Sequence, residues 1–113
     1  WALQADAVVG TESVIANAVA NERMPKIVML SHSSRQNLTR DWLNTISLES
    51  PVACHPCHRI HNRGGAFCPR TAAGAAACMD SYSAETVASL VLTRLGIKHQ
   101  IAEPALLLCD EAA

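Results

Sequence analysis

The sequence contains no long apolar run. The roughly 18 consecutive apolar residues that a bilayer-spanning helix needs occur nowhere, so no membrane span is expected. A basic run is also missing. Arg35, Arg40, Arg59, Arg63 and Arg70 are dispersed and the formal net charge is −1, which removes the electrostatic basis for binding nucleic acid. Charged residues make up only 17% against 50% hydrophobic, the opposite of the balance that keeps a chain disordered. No export signal opens the chain, because Trp1 to Asp6 has neither a basic flank nor an apolar core. A cytoplasmic location is therefore expected. The absence of an initial methionine suggests a piece of a longer protein or a processed product.

What is present reads as one α/β domain. At 113 residues a chain buries about two-thirds of its unfolded surface, enough for a core. Residues 6–31 form a strand–helix–strand unit. Ala7-Val8-Val9 is a short apolar run ending at Gly10, the mark of a buried parallel strand. Thr11 or Ser13 then caps a helix with Glu12 in its first turn, and Val14, Ile15, Ala18 and Val19 supply its apolar stripe. Ile27-Val28-Met29-Leu30 is a second buried strand, and the whole unit is long enough for a crossover between parallel neighbours. After the hydroxyl-rich loop Ser31-His32-Ser33-Ser34, Ser34 caps a short helix through Leu43, with Leu38, Trp42 and Leu43 facing inward. Ile46 and Leu48 alternate with Ser47 and Glu49 in a third strand.

The expected architecture is a Rossmann-like unit of parallel strands flanked by helices, with a Cys-rich loop segment added. Residues 1–113 are a single, partial domain, and 51–82 are a Cys/His-rich metal-binding insert. Residues 83–96 are a helix that packs back on the sheet. Ser83 is its N-cap, Val87, Leu90, Val91 and Leu95 its stripe, and Gly96 its stop. The tail holds Ala105-Leu106-Leu107-Leu108 and docks as a short strand or helix.

Four of the five cysteines fall in the insert, spaced C-x2-C-x10-C-x9-C as Cys54, Cys57, Cys68 and Cys78. Cys109 stands apart. A two-residue gap lets two thiolates of one turn reach one metal, and the later pair completes a tetrahedron. This is the arrangement of a closed, structural zinc site. Other readings stay open. Cys54-His55-Pro56-Cys57-His58 matches the attachment signature of c-type haem, with Met79 or Met29 as an axial ligand. A thioredoxin-like dithiol at Cys54 and Cys57, disulfides, and unliganded thiols are further alternatives. His55, His58 and His61 read as solvated loop histidines or substitute ligands.

Gly10-Thr11-Glu12-Ser13 lies where a parallel strand turns into a helix. Ligands of open α/β sheets bind beyond the carboxyl ends of the strands, and a helix start offers N–H groups that suit a pyrophosphate. Thr11 and Ser13 add hydroxyl donors. Glu12 has the chemistry to hold a ribose, a sugar hydroxyl or a metal ion, and His32 lines the same crevice. Ordinary helix capping explains the same residues.

Three stretches carry a resemblance to a known family. They are Val9-Gly10-Thr11-Glu12-Ser13-Val14-Ile15-Ala16-Asn17-Ala18, then Pro25-Lys26-Ile27-Val28-Met29-Leu30-Ser31, then Cys54-x-x-Cys57 with Cys68 and Cys78-Met79. Their order resembles glycosyltransferase family nine, the heptosyltransferase-like enzymes, and residues 6–96 correspond to the C-terminal, donor-binding part. The resemblance implies a GT-B architecture of two Rossmann-like domains and a nucleotide-sugar donor bound to this one. It implies transfer of a heptose-like sugar to a glycan acceptor. The family's acidic–Thr–Gly turn falls on Glu12, Ser13 and Val14; valine replaces the glycine there, and Asn17 stands where the family often has histidine. The family's catalytic base lies in the other domain. The resemblance therefore implies a missing N-terminal domain or partner chain, and a chain that is inactive alone.

Overall fold

The computed structural model describes residues 2–59 and 68–98. Three strands, β1 (Val8–Thr11), β2 (Lys26–Met29) and β3 (Thr45–Leu48), form one parallel sheet in the order β1-β2-β3. Val9 pairs with Ile27 and Ile27 with Ile46, so these side chains share one face, and Gly10, Val28 and Ser47 share the other. Helices interleave with the strands: α1 (Val14–Ala18), α2 (Arg35–Leu38), α3 (Ala77–Asp80) and α4 (Ala84–Arg94). A 3-10 turn, Ala2–Gln4, precedes β1.

The central strand holds the core because both of its faces are covered. Ile27, Val28 and Leu30 are buried to 1% or less. Val28 and Leu30 pack with Ala16 of α1, with Leu38 at the end of α2 and with Trp42 beyond it. On the opposite face α4 packs against β2. Tyr82 reaches Leu30 and Leu48 at the carboxyl ends of the strands, while Arg94 Nη1 bonds Asn44 Oδ1 at 3.1 Å just before β3. Hence α4 runs antiparallel to the strands. Lys26 is buried at the start of β2, and its ammonium donates to the carbonyls of Glu22 at 2.5 Å and Met24 at 3.0 Å. Desolvation lowers its pKa.

Several local expectations need correction. β1 is an edge strand, and its Val9 is 44% exposed rather than buried. α1 is a single turn whose Val14 and Ile15 face solvent; the residues that anchor it are Ala16, Val19 and Ala20. Glu12 precedes the N-cap instead of lying in the first turn, and Ser13 caps by backbone geometry alone. α2 ends at Leu38. Its Ser34 cap is as expected, with Oγ accepting from Asn37 N at 3.2 Å. Leu43 is exposed, because buried Thr39 turns inward to Ser47 and ends the helix before Leu43 is reached. Leu95 is also exposed. The run Ala105–Leu108 lies outside the described residues.

α4 matches its sequence signals closely. Ser83 Oγ accepts from Thr86 N at 3.1 Å, and Glu85 sits in the first turn. At the other end Gly96 has φ +70° and Ile97 N donates back to Leu92 O at 2.9 Å, a Schellman-type stop that suits glycine. Ser83→Ala is expected to lower the unfolding free energy by about 1 kcal/mol, and urea denaturation of the two chains checks it. A change within error would mean that packing alone holds the helix start.

Candidate functional site

The loops leaving the carboxyl ends of the three strands meet one another, and Glu12 organises them. Its side chain is 4% exposed. Its carboxylate accepts from Ser31 N at 2.7 Å, Ser33 N at 2.9 Å, Ser31 Oγ at 3.1 Å and, more distantly, His32 N at 3.4 Å. Nδ1 of His32 also faces Glu12 Oε2, so that nitrogen carries the proton. The loop Ser31-His32-Ser33 presents consecutive N–H groups and needs an anion to gather them. Glu12 supplies it from the end of the neighbouring strand.

A second tier is built on that loop. The imidazole of His55 is 4% exposed, with Nδ1 at 2.8 Å from Ser31 O and Nε2 at 3.8 Å from Glu49 Oε1. The expectation of a solvated loop histidine is therefore wrong for His55: it is the inward anchor of the Cys54–Cys57 turn. His58 N donates to His32 O at 2.7 Å and fastens the far side of the same turn. From the third direction Tyr82 donates its single hydroxyl proton to Leu30 O at 2.5 Å and Leu48 O at 2.8 Å. Ser50 Oγ and Ser81 Oγ meet at 2.8 Å. Together these bonds hold α3 against the sheet.

Between the tiers opens a cavity of about 310 Å³. Ser31, His32 and Arg59 contribute polar groups to its wall. Cys54, Cys57, Cys68 and Cys78 line it as well, with Ala76 to Met79 as much of the apolar surface. Cys54, Cys57 and Cys78 are thiols outside any disulfide. Burial pushes the Cys78 thiol above its ordinary pKa, and the nearness of Cys54 and Cys68 adds to the shift. In this arrangement no three metal-ligating side chains among the described residues stand together at ligating distance.

No protein-family model, curated protein or solved structure matches this chain.

The residues singled out from sequence thus divide into three groups. His32 and the four cysteines share the cavity wall. Thr11 ends β1 with an exposed side chain, and Ser13 is half-buried at the N-cap beside it; neither lines the cavity. Glu12 is committed to the Ser31–Ser33 loop, which leaves it no role as a direct ligand of ribose, sugar or metal. Sequence reasoning missed Arg59 and the anchoring roles of His55 and Tyr82. The dense histidine and cysteine pattern of residues 54–58 was the available signal for His55. Tyr82 carried none, since its partners are carbonyls 34 and 52 positions away. His61 and Cys109 lie outside the described residues. No described helix is long and apolar enough to cross a membrane.

Proposed function

We propose that this chain is the nucleotide-sugar-binding part of a glycosyltransferase of the heptosyltransferase-like type, with GT-B architecture. The supporting observation is the position of the cavity. It opens past the carboxyl ends of parallel strands, where α/β sheets take their ligands, and its polar wall is Ser31, His32 and Arg59. A nucleotide diphosphate is an anion that gains charge as the glycosidic bond breaks. Arg59 supplies a fixed positive charge, while His32 is held by Glu12 in one orientation with its Nδ1 side occupied. Both stabilise the departing diphosphate more than the intact donor, which is the differential effect that accelerates transfer. Thr11 and Ser13, at the neighbouring β1–α1 turn, offer hydroxyls to the rest of the donor. Glu12 acts through the loop it gathers and is a positioning residue. The glycan acceptor and the catalytic base belong to a second domain or partner chain, so these residues alone bind donor without turning it over.

Titration of the chain with ADP and UDP, followed by calorimetry, tests this reading. Saturable binding is expected, and His32→Ala and Arg59→Ala should each weaken it about tenfold, the equivalent of ~1.4 kcal/mol. Absence of heat or spectral change at millimolar nucleotide would remove the proposal.

A further inference from the structure

We infer that the open edge of β1, with the apolar groove beside it, is the docking site for this chain's own Ala105–Leu108 run, which adds there as a fourth parallel strand. The groove lies on the face of the sheet that carries α4. Its walls are Val9 and Met29 on the sheet and Ala84, Val87, Ala88 and Val91 on the helix. It offers about 570 Å³, and no charged side chain lines it. Among the described residues β1 pairs only with β2. Val8 N turns to Pro25 O at 2.9 Å. Strand geometry alternates, so Val9 and Thr11 turn their N–H and C=O groups to the open edge. That edge, Val8-Val9-Gly10-Thr11, has no lysine, proline or other charge of the kind that guards an edge left open in a native sheet.

The handedness of the fold selects the occupant. α1 follows β1 and α2 follows β2, and both cover the face of Val28 and Leu30. Through that face the chain steps from β1 to β2 to β3. α4 comes after β3 and packs on the face of Val9 and Met29. Connections between parallel strands are nearly always right-handed. A crossover on this second face must therefore step the opposite way, from β3 back past β2 and β1. The first vacant position in that direction is the open edge of β1. α4 also ends where a parallel strand must begin, since Arg94 bonds Asn44 just before β3.

The chain that continues from α4 has the length and composition to fill that position. Residues 97–104 are eight positions and span up to about 26 Å when extended, against about 10 Å for two strand spacings. Pro104 precedes the run, at a place where a strand tolerates proline. Ala105-Leu106-Leu107-Leu108 is apolar without alternation, the pattern of a parallel strand buried on both faces. The edge of β1 is apolar on both faces as well. Val9 faces the groove, and α1, packed against β1 from the other face, leaves Val14 and Ile15 exposed. With the run in place, the direction of strand progression reverses at β1. The β1–α1 turn with Thr11 and Ser13 then stands where sheets of this kind take ligands.

Amide hydrogen exchange of the full chain, resolved by NMR, provides the test. The Val9 and Thr11 amides should exchange on the order of a hundredfold more slowly than in an unstructured chain. Leu106→Asp and Leu107→Asp should each cut that protection by about tenfold or more. Leu30 N, bonded to Leu48 O at 2.9 Å in the core, should keep its own protection in both variants. The wild type gives a second reading that needs no variant to fold: methyl NOE contacts between Val9 and the Leu106–Leu108 segment. Free exchange at Val9 and Thr11 with Gly10 protected, or absence of those contacts, would overturn the inference. So would protection that neither aspartate moves. Protection that rises with protein concentration while the mass doubles would give the edge to a second copy and overturn it too.

Discussion

Glu12→Ala should lower the unfolding free energy by about 3 kcal/mol, a large part of the ~5–15 kcal/mol that holds a domain of this size. The estimate follows from the donors left behind. The N–H groups of Ser31 and Ser33 and the hydroxyl of Ser31 all lose their acceptor, and the loop that carries them is half-buried. Hydrogen bonds to a charged group contribute about 1.5–3 kcal/mol each, and orphaned buried donors cost a further desolvation penalty. Water entering the vacated space recovers part of the sum, which keeps the total nearer one full bond and a half. Glu12→Gln should cost less, since one carbonyl oxygen still accepts while its amide nitrogen is turned toward other donors. Urea unfolding at neutral pH measures both. A loss under 1 kcal/mol for the alanine variant would show that the loop holds its own shape. The damage should also spread along the bonded chain: Glu12 holds Ser31, Ser31 holds His55, and His55 sets the Cys54–Cys57 turn.

How much of this was legible in the residues depends on how local the cause is. α4 was readable almost to its ends because a cap, a first-turn carboxylate and a terminal glycine all lie within the segment they control. The apolar run of β2 and the apolar–polar alternation of β3 gave away their strands for the same reason. The parallel sheet followed from the strand–helix alternation. Failures came where tertiary position decides. Val14 and Ile15 fit a helical stripe, yet α1 is too short and too near the sheet edge to bury them. Glu12 looked like a ligand because a carboxylate at a strand end usually faces an open crevice. Here the next loop fills that crevice with its own amides, and no pattern within residues 10–13 announces a loop twenty positions onward. The cysteine spacing pointed to a shared metal site; the four thiols line one cavity, but among the described residues no three metal-ligating side chains stand together at ligating distance. Their common neighbour His32, and the burial of His55 beneath them, are products of the fold alone.

Tyr82 offers the second large effect, and its sign is set by the protonation state that the fold prefers. Its hydroxyl proton is shared between two backbone carbonyls. A phenolate in that place would have lost both bonds and would face two carbonyl dipoles. Burial is the main force pushing its pKa far above the ordinary phenol range, with Cys78, Glu12 and Glu49 adding to it as nearby anionic groups. A group whose folded pKa is raised contributes its stability below the unfolded value and loses it above. The contribution of Tyr82 is therefore complete below about pH 10, where the unfolded phenol begins to ionise, and shrinks by about 1.4 kcal/mol per pH unit beyond that. At pH 7 Tyr82→Phe should cost about 2 kcal/mol, the loss of one strong buried hydrogen bond and a carbonyl left unpaired. Above pH 10 wild type and Tyr82→Phe should converge, because only the wild type has a phenol to lose. Cys78 is raised in the same direction and its contribution fades from a lower pH, so the comparison is best repeated in a Cys78→Ala background. The chain has a single tyrosine, which makes the readout direct: phenolate absorbance should rise near pH 10 in urea and stay low at that pH in the native chain. A native titration coinciding with the unfolded one would mean that Tyr82 is not the pin joining α3 and α4 to the carboxyl ends of β2 and β3.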